Sequence, residues 1–363
     1  MFKSGIFIIA VIFLAGCAGN TVHHLSSEPP ETKGVLPPPS PATTQPIPAV
    51  HYPPPAVPQS VPITTWTSLS DWAAQHHIGA PQRLNNLPVA AYAIASKNGT
   101  MVLEIGSREV TWNGIQLSLG FAPQLIDGAV CLYGLDLQKN LEPLLCDSPL
   151  EFPTNGIIVL DPGHGGSNSG APSILAGNYE KQYTLDLAER LKPLLEAEGW
   201  KVLLTRTGDE DVSLTNRVIF AEEHHANLFI SLHFNSAGED TKQAGVETYC
   251  LTPTGMPSTI TRNYADPWTE VLPDNAFDTQ NLQLAVRIQS ALVHIGIPDR
   301  GVRRARFIGV LRGQRRPAIL IEGGYLSNPR EAKLIASPDY RQKLAVTLAS
   351  ALKPEDENGG QGK

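Results

Sequence analysis

The C-terminal part of the chain is predicted to form an α/β layer fold, a mixed, mostly parallel sheet flanked by helices, preceded by a small α+β domain. Three observations predict it. Residues 156–160 are a continuous aliphatic run, the mark of a strand buried on both faces. Leu185, Ala188, Leu191 and Leu195 then recur at helical spacing, and Gly199 stops the helix. Strand-like runs at 201–205, 228–232, 246–251 and 318–321 continue to alternate with helical stretches at 214–225, 281–295 and 340–352.

The chain opens with an export signal. Lys3 precedes an apolar run at 6–14, too short to cross a bilayer and fitting the core of a signal peptide over residues 1–16. The run closes with Leu14, Ala15, Gly16 and Cys17, which resembles the lipobox of bacterial lipoproteins. That resemblance implies a lipidated Cys17 as the mature N-terminus and a membrane anchor of two acyl chains. Ala18 follows where Asp would direct retention, which by the same resemblance favours the outer membrane, facing the periplasm.

Of the 31 prolines, 13 fall between Ala18 and Thr64, so residues 17–64 are expected to be a disordered, polyproline-like spacer. At ~3.1 Å per residue such a segment reaches on the order of 100 Å. The rest has ordinary globular composition, 42% hydrophobic and 17% charged over 363 residues, and the last residues, 354–363, read as a disordered tail. A net charge of -7 gives no bulk attraction toward nucleic acid, which is excluded as a partner. An anionic substrate must therefore be held by local groups.

Residues 65–150 read as the small α+β domain, a candidate wall-binding module. Residues 100–105 alternate, Gly106-Ser107 turns the chain, and residues 110–112 lead through Asn113-Gly114 into 115–119. Ser70 is the expected cap of a helix over 71–76, and Asp136 of one ending near Leu145. Adjacent His76 and His77 diverge by about 100° on a helix and read as surface histidines. Cys131 and Cys146 could pair in an oxidising compartment, worth roughly 3 kcal/mol, or stand as small buried thiols; Cys250 reads as a buried thiol. The runs 103–107, 112–114 and 126–129 resemble the small module related to the N-terminal domain of copper amine oxidases.

The chemistry lies at 153–353. His164 follows the first buried strand in a Gly-rich turn, Glu180 stands before the long helix, and His233 ends another buried strand. Two His and one Glu with an open fourth position is the ligand set of catalytic zinc, whereas structural sites are closed by four protein ligands. Glu322 ends a hydrophobic strand, where a carboxylate costs several kcal/mol unless a cation is near. It is the candidate general base.

In this order, residues 161–166, Glu180-Lys181, Thr205-Arg206, 231–235, Arg300-Gly301-Val302 and 322–328 resemble the zinc-dependent N-acetylmuramoyl-L-alanine amidases of the Amidase_3 family. The resemblance implies one Zn2+ held by His164, Glu180 and His233, and Glu322 as catalytic base. The substrate is then peptidoglycan, cut between N-acetylmuramic acid and L-alanine. Ser167-Asn168 and Gly323-Gly324-Tyr325 depart from the usual family pattern without touching a ligand. Asn235, Arg303 and Arg306 are candidate substrate-binding residues; the arginine cluster reads equally as a solvated basic face.

Relatives regulated by an activator protein carry a helical plug within the region corresponding to 252–280. Here Pro253, Pro257, Pro267 and Pro273 exclude a long helix, so this insertion is expected to gate the cleft differently and to impose weaker or different autoinhibition. Two other readings remain open: a non-catalytic wall-binding or activator protein, and a zinc peptidase cutting within the stem peptide.

Overall fold

The computed structural model describes residues 65–85, 89–261 and 266–354; the signal segment, Cys17, the proline-rich stretch and the tail beyond 354 lie outside the described residues. β1 (Trp66–Ser68) leads into α1 (Leu69–Gln75). The helix starts earlier than expected because Ser68, not Ser70, caps it: its hydroxyl accepts from the Asp71 amide at 3.3 Å. β2 (Gln82–Arg83), β3 (Ala91–Ser96), β4 (Gly99–Glu104), β5 (Glu109–Trp112) and β6 (Ile115–Ser118) form an antiparallel meander. Asn113 and Gly114, at φ 48° and 85°, make the two-residue turn between β5 and β6 that the sequence announced.

β7 (Gln124–Ile126) and β8 (Ala129–Tyr133) pair with each other, and β8 with β1, in a separate three-stranded sheet. A helical turn, α2 (Gly134–Asp136), then widens into a helical segment at Leu137–Cys146. Asp136 stands at its N-cap position, but its side chain makes no capping hydrogen bond. Its carboxylate accepts instead from the amides of Gly120 and Phe121, at 2.6 and 2.8 Å, which pins the loop after β6. Cys131, Cys146 and Cys250 are free thiols.

The C-terminal part alternates as predicted: β9 (Ile157–Pro162), α3 (Glu180–Ala197), β10 (Lys201–Leu204), α4 (Leu214–Glu223), β11 (Leu228–Asn235) and β12 (Val246–Cys250). α5 (Asp278–His294), β13 (Asp299–Arg304), α6 (Gly309–Arg312), β14 (Ala318–Tyr325), α7 (Pro329–Ala336) and α8 (Pro338–Ala351) complete it. The sheet order is β10-β9-β11-β14-β12-β13. The pairs are parallel except for β12 against β14. Ile158, Leu160, Ile230, Leu232, Ile319 and Ile321 pack with Leu187, Leu191, Leu284, Ile288 and Leu344 of α3, α5 and α8. The other face, with Val159, Phe229, Tyr249 and Leu320, packs with Ala221 of α4 and with Val310 and Leu311 of α6.

Residues 65–150 do not end at their own edge. β6 lies parallel to β13, with Leu117 opposite Val302, so the meander extends the sheet to eleven strands. Lys139 reaches Asp278 at 3.0 Å, and Arg304 donates to the Lys139 carbonyl at 2.8 Å.

Because β12 runs antiparallel to β14, the insertion that follows it leaves at the edge where Ala318 begins, opposite the edge that carries Glu322. Among its described residues one helical turn, Pro273–Phe277, is regular, in keeping with the prolines.

Candidate metal centre

β9 and β11 are neighbours, so the Gly-rich turn after one lies beside the end of the other. Gly163 packs against the His233 ring: a Cβ there would meet ring atoms at 2.3 to 2.7 Å, so only glycine fits. His164 takes φ 63°, a left-handed conformation that costs a non-glycine residue free energy and that clusters at functional sites. The turn thereby brings its ring over the sheet edge. Glu180 is the first residue of α3, not a loop residue before it, and its carboxylate accepts from the amides of Ala171 (2.9 Å) and Phe234 (3.1 Å).

The three side chains converge. His164 Nε2 lies 3.0 Å from Glu180 Oε2, and His233 Nδ1 lies 2.8 Å from Glu180 Oε1. One donor atom from each residue lies within 4.8 Å of the others, and all three residues are buried. Donors bound to one tetrahedral zinc at about 2.0–2.1 Å would sit about 3.3 Å apart.

The outer hydrogen bonds decide which nitrogens face inward. Asn168 Oδ1 accepts from the Gly170 amide at 3.2 Å, so it is an oxygen, and His164 Nδ1 donates to it at 2.9 Å. The neutral His164 ring then turns a bare Nε2 inward, and this buried atom makes no hydrogen bond. The Ser231 hydroxyl gives its single proton to Asp161 Oδ2 at 2.8 Å, so its oxygen accepts from His233 Nε2 at 3.1 Å. The Nδ1 of His233 faces Glu180 Oε1 at 2.8 Å. Two imidazole nitrogens and a carboxylate meet in one buried place, a donor set that suits a divalent cation. The residues fit a divalent ion.

Without a cation between them the three groups shift one another. Burial would raise the Glu180 carboxyl, but the two imidazoles hold it well below the usual carboxylate range. Burial pulls both imidazoles down; His233 stays below its ordinary value despite Glu180, whereas Glu180 and Asn168 lift His164 above it. Burial would raise Asp161 also, yet Arg217 and the hydroxyls of Thr205 and Ser231 keep it lowered.

Glu322 is the Cα partner of His233 on the adjacent strand β14, so the two side chains share a face; it is 5% exposed. Its partner on β12 is Glu247, a buried carboxylate the sequence reading passed over although it stands in a hydrophobic strand like Glu322. Arg300 donates to Glu247 at 2.7 Å, as does the Tyr249 hydroxyl.

A family profile described as N-acetylmuramoyl-L-alanine amidase, Amidase_3, matches residues 158–354, which contain all four of these residues. The chain belongs to this family.

Among the amidase's relatives, AmiA of Salmonella typhimurium is 31% identical over 221 residues, covering 54% of this chain and 74% of AmiA. The probable cell wall amidase LytH of Staphylococcus epidermidis is 32% identical over 269 residues, covering 73% and 79% respectively. The catalytic domain of CwlV from Bacillus (Paenibacillus) polymyxa var. colistinus is 30% identical, with a TM-score of 0.44 over 54% of this chain and 96% of that one. The amidase is a peptidoglycan hydrolase, acting on the amide between N-acetylmuramic acid and L-alanine.

The candidate substrate residues separate in the structure. Asn235 lies on the same rim, but its amide already donates to Glu247 and the Tyr325 hydroxyl, both at 3.2 Å. Arg306 is 2% exposed, pairs with Asp266 at 2.7 Å and donates to the carbonyls of Pro253 and Met256, so it is committed to the insertion. Arg303 lies on β13 facing the same side as Tyr249. His76 stacks on Trp72 at 4.5 Å between ring centroids, and the one metal-competent cluster among the described residues is that of His164, Glu180 and His233.

Proposed function

We propose that the amidase is zinc-dependent, with His164, Glu180 and His233 holding one Zn2+ and Glu322 serving as general base and then general acid. The observation that carries this reading is the meeting of two imidazole nitrogens with one carboxylate inside a buried site. Zinc, when bound, supplies Lewis acidity that activates water near neutral pH and polarises an amide carbonyl. Asn168 and Ser231 keep the two rings turned inward. Glu322, on the face of His233, takes the proton of the attacking water and passes it to the leaving nitrogen of L-alanine. The pairing of β11 with β14 sets the Glu322 backbone beside that of His233.

The wider setting belongs to the same reading. A lipid on Cys17 anchors the enzyme in the cell envelope, at the outer membrane facing the periplasm, and residues 17–64 carry the catalytic part toward the wall. Residues 65–150, with their likeness to the copper amine oxidase N-terminal module, serve as a wall-binding unit ahead of a catalytic unit at 153–353. An activator protein is compatible with this arrangement.

Metal analysis coupled to digestion of sacculi tests the proposal. One zinc per chain is expected, with mass spectrometry finding free stem peptides that begin at L-alanine. Glu322→Gln should retain zinc and lose turnover by about 10²–10⁴. Wild-type turnover in that variant would sink the assignment of the base, and shortened peptides would replace the amidase with a peptidase.

A further inference from the structure

We propose that Glu247 and Tyr325 are positioning residues for the reaction: the hydrogen bond between them fixes the bulge of β14 that directly follows Glu322, and so holds the base at its working angle. The inference rests on the reading of Glu322 as general base and deepens it.

The bulge is visible in the register. β11 and β14 pair residue for residue as far as His233 opposite Glu322, but the next pair is Asn235 opposite Tyr325, two residues on along one strand and three along the other. The extra residue is taken up in Gly323-Gly324, with Gly324 at φ 132°. By strict alternation the third residue after Glu322 would face away from it. The bulge returns Tyr325 to the face that carries Glu322 and His233.

Two adjacent glycines make a soft hinge beside the base, because glycine has the widest choice of backbone conformations. A side chain cannot stiffen Gly323, where a Cβ would meet the Phe234 ring at 2.8 Å. The restraint comes from the surroundings. The Tyr340 hydroxyl donates to the Gly323 carbonyl at 3.2 Å, and Glu331 accepts from the Tyr325 amide at 2.7 Å. On the face of the base the restraint is Glu247, the Cα partner of Glu322 on β12. Its Oε1 accepts from the Tyr325 hydroxyl at 3.4 Å and its Oε2 from the Asn235 amide at 3.2 Å, while that amide also donates to the Tyr325 hydroxyl at 3.2 Å. Asn235 Oδ1 accepts from the Ser236 amide at 2.9 Å, which identifies the other atom as the nitrogen. One carboxylate thus ties together the ends of β11 and β14, just beyond His233 and Glu322.

The tie is itself held. Arg300 donates to Glu247 at 2.7 Å and lays its guanidinium 4.8 Å from the centre of the Tyr325 ring. The Tyr249 hydroxyl donates to the other oxygen at 2.7 Å. With these donors a carboxylate that is 2% exposed becomes a rigid anchor. Burial and the Glu247 charge push the Tyr325 hydroxyl well above its ordinary value, so it remains a proton donor to that anchor.

The test measures kcat, KM, zinc content and melting temperature of the full chain, with muramoyl peptides as substrate. Glu247→Gln is expected to lower kcat about tenfold and Tyr325→Phe about threefold, with KM within about twofold of wild type and zinc content unchanged. Tyr325→Phe removes a single oxygen and keeps the ring beside Arg300, so it reports even where Glu247→Gln folds poorly. The double variant should lose no more than Glu247→Gln alone, because both changes cut the same link. A merely structural role would lower the melting temperature and leave kcat per folded molecule intact. Wild-type kcat in Tyr325→Phe, a loss that falls on KM instead, or losses that multiply in the double variant overturn the proposal. Turnover surviving in Glu322→Gln condemns the base, and with it anything the pair could position, whereas an inactive Glu322→Gln beside a fully active Tyr325→Phe condemns the positioning pair alone.

Discussion

His233 and Ser231 stand two residues apart on β11, and the ring's Nε2 donates to the hydroxyl oxygen at 3.1 Å while the hydroxyl proton goes to Asp161. Ser231 thus orients the ring of a proposed zinc ligand. Removing it frees the ring to adopt the wrong tautomer.

Ser231→Ala should accordingly weaken zinc binding by about 10–100-fold, the usual effect of losing the group that orients a metal-bound imidazole. Competition against a chromogenic chelator measures this directly, and circular dichroism checks that the fold survives. Affinity within twofold of wild type would mean that the hydroxyl does not set the tautomer.

Asp161 carries the other end of that chain. It is fully buried, and Arg217, Thr205 and Ser231 all donate to it. Its folded pKa lies below the ordinary value, so its contribution is complete above the unfolded pKa of ~3.9 and is lost as pH falls through the lower, folded one. Asp161→Asn would leave the Arg217 charge buried without a counter-ion, at a cost of about 3–5 kcal/mol. The expected outcome is a melting temperature lower by roughly 10 °C at neutral pH, with a smaller difference from wild type when both are melted in strong acid. A gap that widened on acidification would reverse the sign argued here.

The four principal residues were legible because each stands where its type is out of place: His164 in a Gly-rich turn, His233 and Glu322 at the ends of hydrophobic runs, Glu180 at a helix start. Glu247 met the same criterion within the apolar run at 246–251 and could have been found by it. Ser231 and Asn168 could not, since a hydroxyl or amide near a histidine is common and its partner depends on side-chain direction. β13 was hidden by charge: three of its six residues are arginines, in a strand with neighbours on both sides. The side on which the insertion emerges depends on β12 being antiparallel to β14, a pairing that no local pattern encodes. The cap at Ser68 lost to Ser70 in the sequence reading because both precede the same apolar stretch by a plausible offset.

Arg306 tests how far that topology governs function. A basic residue three positions after Arg303 would pass from sequence alone as another substrate contact, yet its guanidinium is closed in by Asp266 and two carbonyls at the edge away from Glu322. Arg306→Ala leaves the Asp266 carboxylate, 9% exposed, without its cation, which should cost on the order of 3 kcal/mol. A lower melting temperature is therefore expected, with zinc content held at one per chain and KM for muramoyl peptides within about twofold of wild type. A tenfold rise in KM without loss of stability would return Arg306 to the substrate site and require the insertion to reach round to the catalytic edge.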